Sequence, residues 1–240
     1  MKKLITLFCI VAGLQTMQAQ KGLVVGANFM PMWSNIINQD TWGNGREYDY
    51  LPTFRTSFGL DVGYNISDHF GLYTGYWFTN LGQDYEDAYS SSEWERRLTL
   101  KYNIIPLMAK FNATGSTFNF IAGAGILFAN LSEAEQEWLR DGNTFSQIIY
   151  NPFTMENFEL GAPDVTERFA DSDIFINLEM GARIIFSEKL FLDAALNFGY
   201  GLKDINNEDW QIENNSGIYD PSHNAFLGLR LGLAYVFLGD

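Results

Sequence analysis

The sequence predicts an all-β chain: an eight-stranded antiparallel transmembrane β-barrel, an up-and-down meander with long outer loops and short periplasmic turns. Three observations predict it. First, Ala225 to Phe237 alternates with period two. Leu227, Leu229, Leu231, Leu233, Tyr235 and Phe237 fall on one face, and Gly228, Arg230, Gly232, Ala234 and Val236 on the other. Such alternation marks a strand between two unlike environments, and an apolar wall opposite glycines and one mid-strand charge suits lipid outside and a small polar lumen inside. Second, about eight stretches of barrel-spanning length show this alternation. Third, the connections between them alternate strictly between long and short, as outer loops and periplasmic turns do.

Met1 to Ala19 reads as a secretory signal peptide, leaving residues 20–240 as one outer-membrane β-barrel domain. Lys2 and Lys3 precede an apolar run from Leu4 to Leu14, and Met17-Gln18-Ala19 ends in the small residue that cleavage needs. The run is too short to span a bilayer as a helix. Cys9, the one cysteine, lies inside it, so the mature chain is expected to have no disulfide, thiolate metal site or cysteine nucleophile. The formal charge is −14, and removing Lys2 and Lys3 makes it −16. Nucleic acid is therefore excluded as a partner, because no basic patch exists to neutralise phosphates.

The strands are read in order as follows. The first, Gly22 to Ser34, sets Leu23, Val25, Ala27 and Phe29 against Val24, Gly26, Asn28 and Met30. The second, Phe54 to Ile66, sets Phe58, Leu60, Val62 and Tyr64 against Gly59, Asp61, Gly63 and Asn65. Ser67-Asp68-His69 is a tight turn of residues that bond their own backbone. The third, Phe70 to Gly82, turns Phe70, Leu72, Thr74, Tyr76 and Phe78 outward. The fourth, Glu95 to Asn112, sets Leu98, Leu100, Tyr102 and Ile104 on the apolar face and Arg97, Thr99, Lys101 and Asn103 on the polar one. Its phase slips at Ile105-Pro106, where proline suggests a bulge, and Lys110 continues the polar face. The fifth runs from Phe118 to Leu131, the sixth from Asp173 to Phe186, the seventh from Leu190 to Leu202, and the eighth is Ala225 to Phe237.

A soluble lipocalin-like ligand-binding barrel also has about eight strands and a signal peptide, but its apolar face points in. Three features oppose it. The polar face is mostly glycine. Aromatics gather near both strand ends, such as Tyr64, Phe70, Phe118, Tyr235 and Phe237 at one and Tyr76, Phe78 and Tyr200 at the other, as interface girdles require. Charges of both signs sit mid-strand.

Within the fourth strand, Leu100-Lys-Tyr-Asn-Ile-Ile-Pro-Leu-Met-Ala-Lys-Phe111 resembles the signature strand of the PorT-like outer-membrane β-barrel family of Bacteroidota. In that family a Tyr is followed by Ile-Pro-Leu, then Lys and an aromatic. The Gln18-Ala19-Gln20 end of the leader is similar too. The resemblance implies an outer-membrane barrel of the Gram-negative cell envelope. For most members it implies no defined activity, and for a few, PorT itself among them, a place in the type IX secretion apparatus.

The charges expected to face the lumen are Asp61, Arg97, Lys101, Lys110, Glu179, Arg183, Asp193 and Arg230. Eight strands leave an interior just wide enough for side chains, so these should pair and fill it rather than line a wide pore. Tyr73, Trp77, Phe175 and Phe191 should help to fill it. The long connections, Asn35–Thr53, Gln83–Trp94, Ser132–Ser172 and Lys203–His223, carry the acidity. The third also holds Trp138, Phe145, Tyr150, Phe153 and Phe158, which suggest a folded cap or a docking surface. Ser132 and Glu135 suggest a capping box opening a short helix that ends near Gly142.

No EF-hand spacing, zinc motif, phosphate loop or dinucleotide fingerprint occurs, so no metal, cofactor or catalytic residue is assigned. His69 reads as a turn residue. His223 sits near Asp220 and Ser222 at the outer rim, where a hydrolase or acyltransferase would need triad geometry in space. The expected partners are outer-membrane lipid and lipopolysaccharide, and an envelope protein met through the outer loops.

Overall fold

Period-two alternation makes each stretch a strand, and the hydrogen-bonded register closes the strands into a ring. The computed structural model describes residues 21–38, 48–87, 93–113, 117–145, 147–151, 156–160, 163–211 and 217–238. In chain order its strands are β1 (Gly22–Asn38), β2 (Tyr48–Leu51), β3 (Thr53–Asn65), β4 (Phe70–Asp87), β5 (Trp94–Asn112), β6 (Phe118–Arg140), β7 (Asn143–Thr144), β8 (Gln147–Asn151), β9 (Glu156–Leu160), β10 (Ser172–Ile185), β11 (Leu190–Gly201) and β12 (Ser222–Leu238). Two 3-10 turns, Thr166–Arg168 and Glu208–Trp210, lie in the long connections.

Among the described residues, β1, β3, β4, β5, β6, β10, β11 and β12 follow one another around the ring, and the β12–β1 and β6–β10 pairings close it. Every pairing is antiparallel. β2 and β7 extend the same sheet beyond the ring, making it ten-stranded, and β8 pairs with β9 separately. The strand count therefore exceeds the eight expected, because the long connections carry strands of their own. From Phe29 the register runs across β12 and β11 to Ala182 of β10. In the other direction it runs across β3, β4, β5 and β6 to Ser172. Positions 182 and 172 are ten residues apart, so the ring closes with a stagger that tilts its strands around a narrow interior.

The short connections lie at one end, the turn end, and two of them share one chemistry. The Ser67 hydroxyl accepts from the backbone N–H of His69 and Phe70, and the Ser187 hydroxyl from Lys189 and Leu190. A serine that satisfies the turn's own donors explains why so few residues reverse the chain. The outward face of the ring is an exposed apolar belt that includes Leu60, Leu107, Leu178, Leu196 and Leu229. Aromatics stand toward its two rims, among them Phe118, Phe70 and Phe237 at the turn end and Trp33, Phe54 and Phe78 at the loop end.

Two local expectations are corrected. β5 has no phase slip at Ile105-Pro106. Leu98, Leu100, Tyr102, Ile104, Met108 and Lys110 are all buried, and Pro106 stays in register opposite Leu127. The bulge lies instead in β6. Pairing passes from Lys101 opposite Glu133 to Tyr102 opposite Leu131, leaving Ser132 as the extra residue, whose hydroxyl donates to the Lys101 carbonyl at 2.9 Å. The second correction follows from the first. Ser132 to Gly142 is not a helix but the continuation of β6. It ends at Asp141-Gly142, whose φ values of 51° and 76° make the two-residue turn between Arg140 and Asn143. Asp-Gly is a strong hairpin dipeptide, and here it outweighs the capping pattern of Ser132 and Glu135.

β6 is thus 23 residues long, about twice the 9–11 that a tilted strand needs to cross a membrane. With β2, β4, β5 and β7 it forms a wing that rises past the ring at the loop end. On the wing Leu81, Leu98, Leu100 and Ala134 face inward and are buried, whereas Arg97 faces outward. The wing's polarity is the reverse of the belt's.

Candidate functional site

Six of the eight expected lumen charges meet inside the ring, where alternation points them inward from five strands. Asp61 on β3 accepts from Asn28 Nδ2 at 2.9 Å and from Trp77 Nε1 at 2.8 Å. The Arg230 guanidinium pairs with Asp61 and reaches Glu179 at 3.4 Å. Lys110 Nζ donates to the other Glu179 oxygen at 2.9 Å, and Asn197 Nδ2 donates to Glu179 at 3.4 Å. Arg183 grips Asp193 with two bonds, of 2.7 and 3.0 Å, and its guanidinium carbon lies 3.7 Å from the Phe191 ring centroid. These six make three cations against three carboxylates, each buried and paired, which is the condition for keeping ions in so narrow a space. Asp173, further along the inward face of β10, is a fourth buried carboxylate and accepts from the backbone amides of Ile174 and Lys203 instead of from a cation.

Arg97 and Lys101 do not belong to this set. Both stand on the wing's outer face. Arg97 pairs with Glu95 at 2.9 Å and Glu137 at 3.9 Å, and Lys101 with Glu133 at 3.0 Å and Glu135 at 2.8 Å. They alternate with apolar residues as a lumen charge would. The environment outside the strand has changed from lipid to water, however, so the charged side is the outer one.

Above the charges the interior turns apolar. Met30, Met32, Trp77, Tyr102, Leu127, Phe175 and Phe226 are buried there. Phe226 lies against Gly199 so closely that a Cβ at that glycine would meet its ring at 2.2 Å, so the glycine face of β11 is a socket for the ring. Two segments of the long connections fold over the loop end as a lid. The Val165 amide donates to the Ala134 carbonyl at 2.9 Å, and the Ala134 amide to the Thr166 hydroxyl at 2.9 Å, tying the lid to the wing. Val165, Phe169 and Ile205 pack beneath it.

Asp204 fastens the second segment. It accepts from Tyr219 Oη at 2.5 Å, Gln211 Nε2 at 3.0 Å, the Ser222 amide at 3.0 Å and the Asn206 amide at 3.1 Å. Partial burial and the Asp204 carboxylate push the Tyr219 hydroxyl up to about 12. The Thr166 amide and hydroxyl hold the Asp164 carboxyl below its usual range.

Of the loop residues singled out from the sequence, Trp138 and Phe145 join one aromatic group on the wing. Trp94 meets Phe145 at 5.0 Å and Trp138 at 6.4 Å between centroids. Cross-strand register places Tyr50, Tyr85, Arg96 and Trp138 in one row, and the Arg96 guanidinium lies 4.3 Å from the Tyr85 ring. Tyr150 and Phe158 fall in β8 and β9, with side chains outside the described structure, and Phe153 lies outside the described residues. The cap is built by Val165, Phe169 and Ile205, single apolar residues in polar surroundings that sequence periodicity did not mark.

The histidines are placed by structure. His69 lies in its turn, with Nδ1 3.1 Å from the Asn112 carbonyl and its ring stacked on Phe111. His223 stacks on Tyr200. Ser222 and His223 are consecutive strand residues and so point to opposite faces, and the Ser222 hydroxyl accepts from Asn38 Nδ2 at 2.7 Å. Among the described residues no three His, Cys, Asp or Glu side chains gather as a metal site.

The outer membrane protein beta-barrel domain model matches residues 4–237. No curated relative matches the sequence. Among solved structures, the outer membrane protein OprG from Pseudomonas aeruginosa is similar at 12% identity. The match covers 94% of this chain and 100% of that one, with a TM-score of 0.50. Neisserial surface protein A is similar at 15% identity over 90% of this chain and 97% of that one, TM-score 0.47. Ail of Yersinia pestis is similar at 10% identity over 89% and 99%, TM-score 0.40. At such identities the likeness speaks to fold alone. With the family model spanning nearly the whole sequence, an apolar belt turned outward and paired charges turned inward, the chain belongs to the outer membrane protein beta-barrel domain family and resides in the outer membrane.

Proposed function

We propose that this chain is a non-conducting membrane anchor whose wing and lid form an interaction surface outside the cell. The observation that carries the reading is the contrast between its two ends. The interior holds buried ion pairs and buried aromatics, whereas β5 and β6 continue well past the belt as a second, water-facing structure. A protein that only crossed the membrane has no use for a wing. In this reading residues 1–19 are a removed leader, the turn end faces the periplasm, the belt contacts lipid and lipopolysaccharide, and an envelope protein is met through the loops. Leu100 to Phe111 supports a PorT-like affinity within the family.

Crosslinking from intact cells, followed by pull-down, tests the reading. A partner captured by wild-type protein and lost when Glu133–Arg140 is replaced by a Gly/Ser linker supports it. Capture that is unchanged by the replacement removes the surface role. Planar bilayers test the sealed interior, and reproducible single-channel steps would refute it.

A further inference from the structure

We infer that the outer surface of the lid, centred on Trp210, is a docking site for a basic, amphipathic polypeptide segment. This rests on the reading of the outer end as an interaction surface, and it names both the place and the partner chemistry. Leu202, Trp210 and Ile218 are large apolar side chains left 49, 42 and 56% exposed on a segment beyond the end of β11. Trp210 and Ile218 belong to one built unit, because Asp204 binds their neighbours Gln211 and Tyr219, and Leu202 lies two residues before Asp204 in the same segment. The Asn207 amide donates to the Arg168 carbonyl, and the Arg168 guanidinium lies 4.9 Å from the Trp210 ring. The aromatic is therefore held in place rather than free to collapse, and a rigid exposed Trp is a strong anchor residue at interfaces.

Charge selects the occupant. Residues 163–171 and 203–211 carry six carboxylates, Asp164, Glu167, Asp171, Asp204, Glu208 and Asp209, against two cations, Arg168 and Lys203. Glu167, Glu208 and Asp209 are exposed around the Trp210 turn. An anionic lipid surface would be repelled by this rim, and a neutral apolar partner would leave its charges unused. A segment with an apolar stripe flanked by Lys or Arg meets both features.

The test uses the full chain in nanodiscs of zwitterionic lipid, with empty discs subtracted. The probe is a labelled Lys/Leu amphipathic peptide, and the controls are oligolysine of equal charge and a Glu/Leu peptide of equal amphipathicity. The Lys/Leu peptide should bind about tenfold tighter than either control, and Trp210→Ala should weaken it by roughly tenfold. Glu208→Gln with Asp209→Asn should weaken binding and flatten its salt dependence. Heat-modifiable gel migration shows that each variant is folded. Equal binding of oligolysine, or no loss in Trp210→Ala, overturns the proposal, as does preferential binding of anionic vesicles. If the peptide fails while crosslinking in cells still captures a wing-dependent partner, this proposal falls and the broader reading stands.

Discussion

Below the Ser132 bulge the sheet is apolar outside, with glycines and charges within. Above it the same strands are charged outside and apolar within. Leu231 in the belt is 38% exposed beside a buried Arg230, whereas on the wing Leu100 is fully buried and the Arg97 side chain is 47% exposed. Neither β4 nor β5 changes phase between the two regions. What changes is the solvent, lipid around the belt and water around the wing. In β6 the extra residue Ser132 shifts the alternation, so that Ala134 and Gln136 are buried in step with Leu100 and Leu98. A strand's polarity thus reports what lies outside it, and its inward direction has to be found from its neighbours.

The comparison is broken most directly by exchanging charge for carbon in both regions. Arg230→Leu strands Asp61 and Glu179 in the interior and should destabilise the barrel by about 3–5 kcal/mol, the cost of unpairing buried ions. Arg97→Leu on the wing should stay within about 1 kcal/mol, because its ion pairs are in water. Folding titrations into lipid vesicles measure both. Equal effects would show that the two faces are misassigned.

A smaller contrast comes from adding charge. Leu231→Arg should cost about 2–4 kcal/mol near the bilayer midplane. Thr99→Arg, outward on the wing, should lie within about 0.5 kcal/mol as an ordinary surface change. The same titrations apply, and a costly Thr99→Arg would place the wing inside the lipid.

The smallest effect concerns the lid and sharpens the comparison by testing whether the outer region opens alone. Tyr219 is held protonated, raised in the folded chain to about 12 from an ordinary value near 10. A raised folded value means that its contribution is complete below pH ~10 and is lost as pH rises toward ~12. Amide exchange around Ile205 should therefore quicken over that window while the ring stays protected. Tyr219→Phe should exchange faster at neutral pH and lose the step. Melting of ring and lid together would show that they are one unit.

Much of the barrel was legible from the residues. Alternation in Phe58–Asn65, Phe70–Trp77 and Leu227–Phe237 fixed which side chains share a face, because a strand permits only period two. A narrow ring requires Arg230 to pair with a lumen carboxylate, for which Glu179, Asp193 and Asp61 are the candidates, and the structure gives it Asp61 and Glu179 while Asp193 goes to Arg183. The Asp141-Gly142 hairpin is written in the chain, where it competes with the capping pattern of Ser132 and Glu135. By contrast, nothing local in Arg97, Lys101, Leu98 or Leu100 says where the membrane ends. Hydropathy alone made Leu98 and Leu100 look outward and forced a phase slip on Pro106 that the backbone does not have. The lid was likewise beyond sequence reading, since Val165, Phe169 and Ile205 come together only through contacts between distant segments. The sequence by itself determined the ring strands and which side chains share a face, because these depend on neighbours two residues apart. Only the tertiary structure decided where the polarity inverts, which charges are buried and what closes the barrel, because those depend on which solvent each stretch of strand meets.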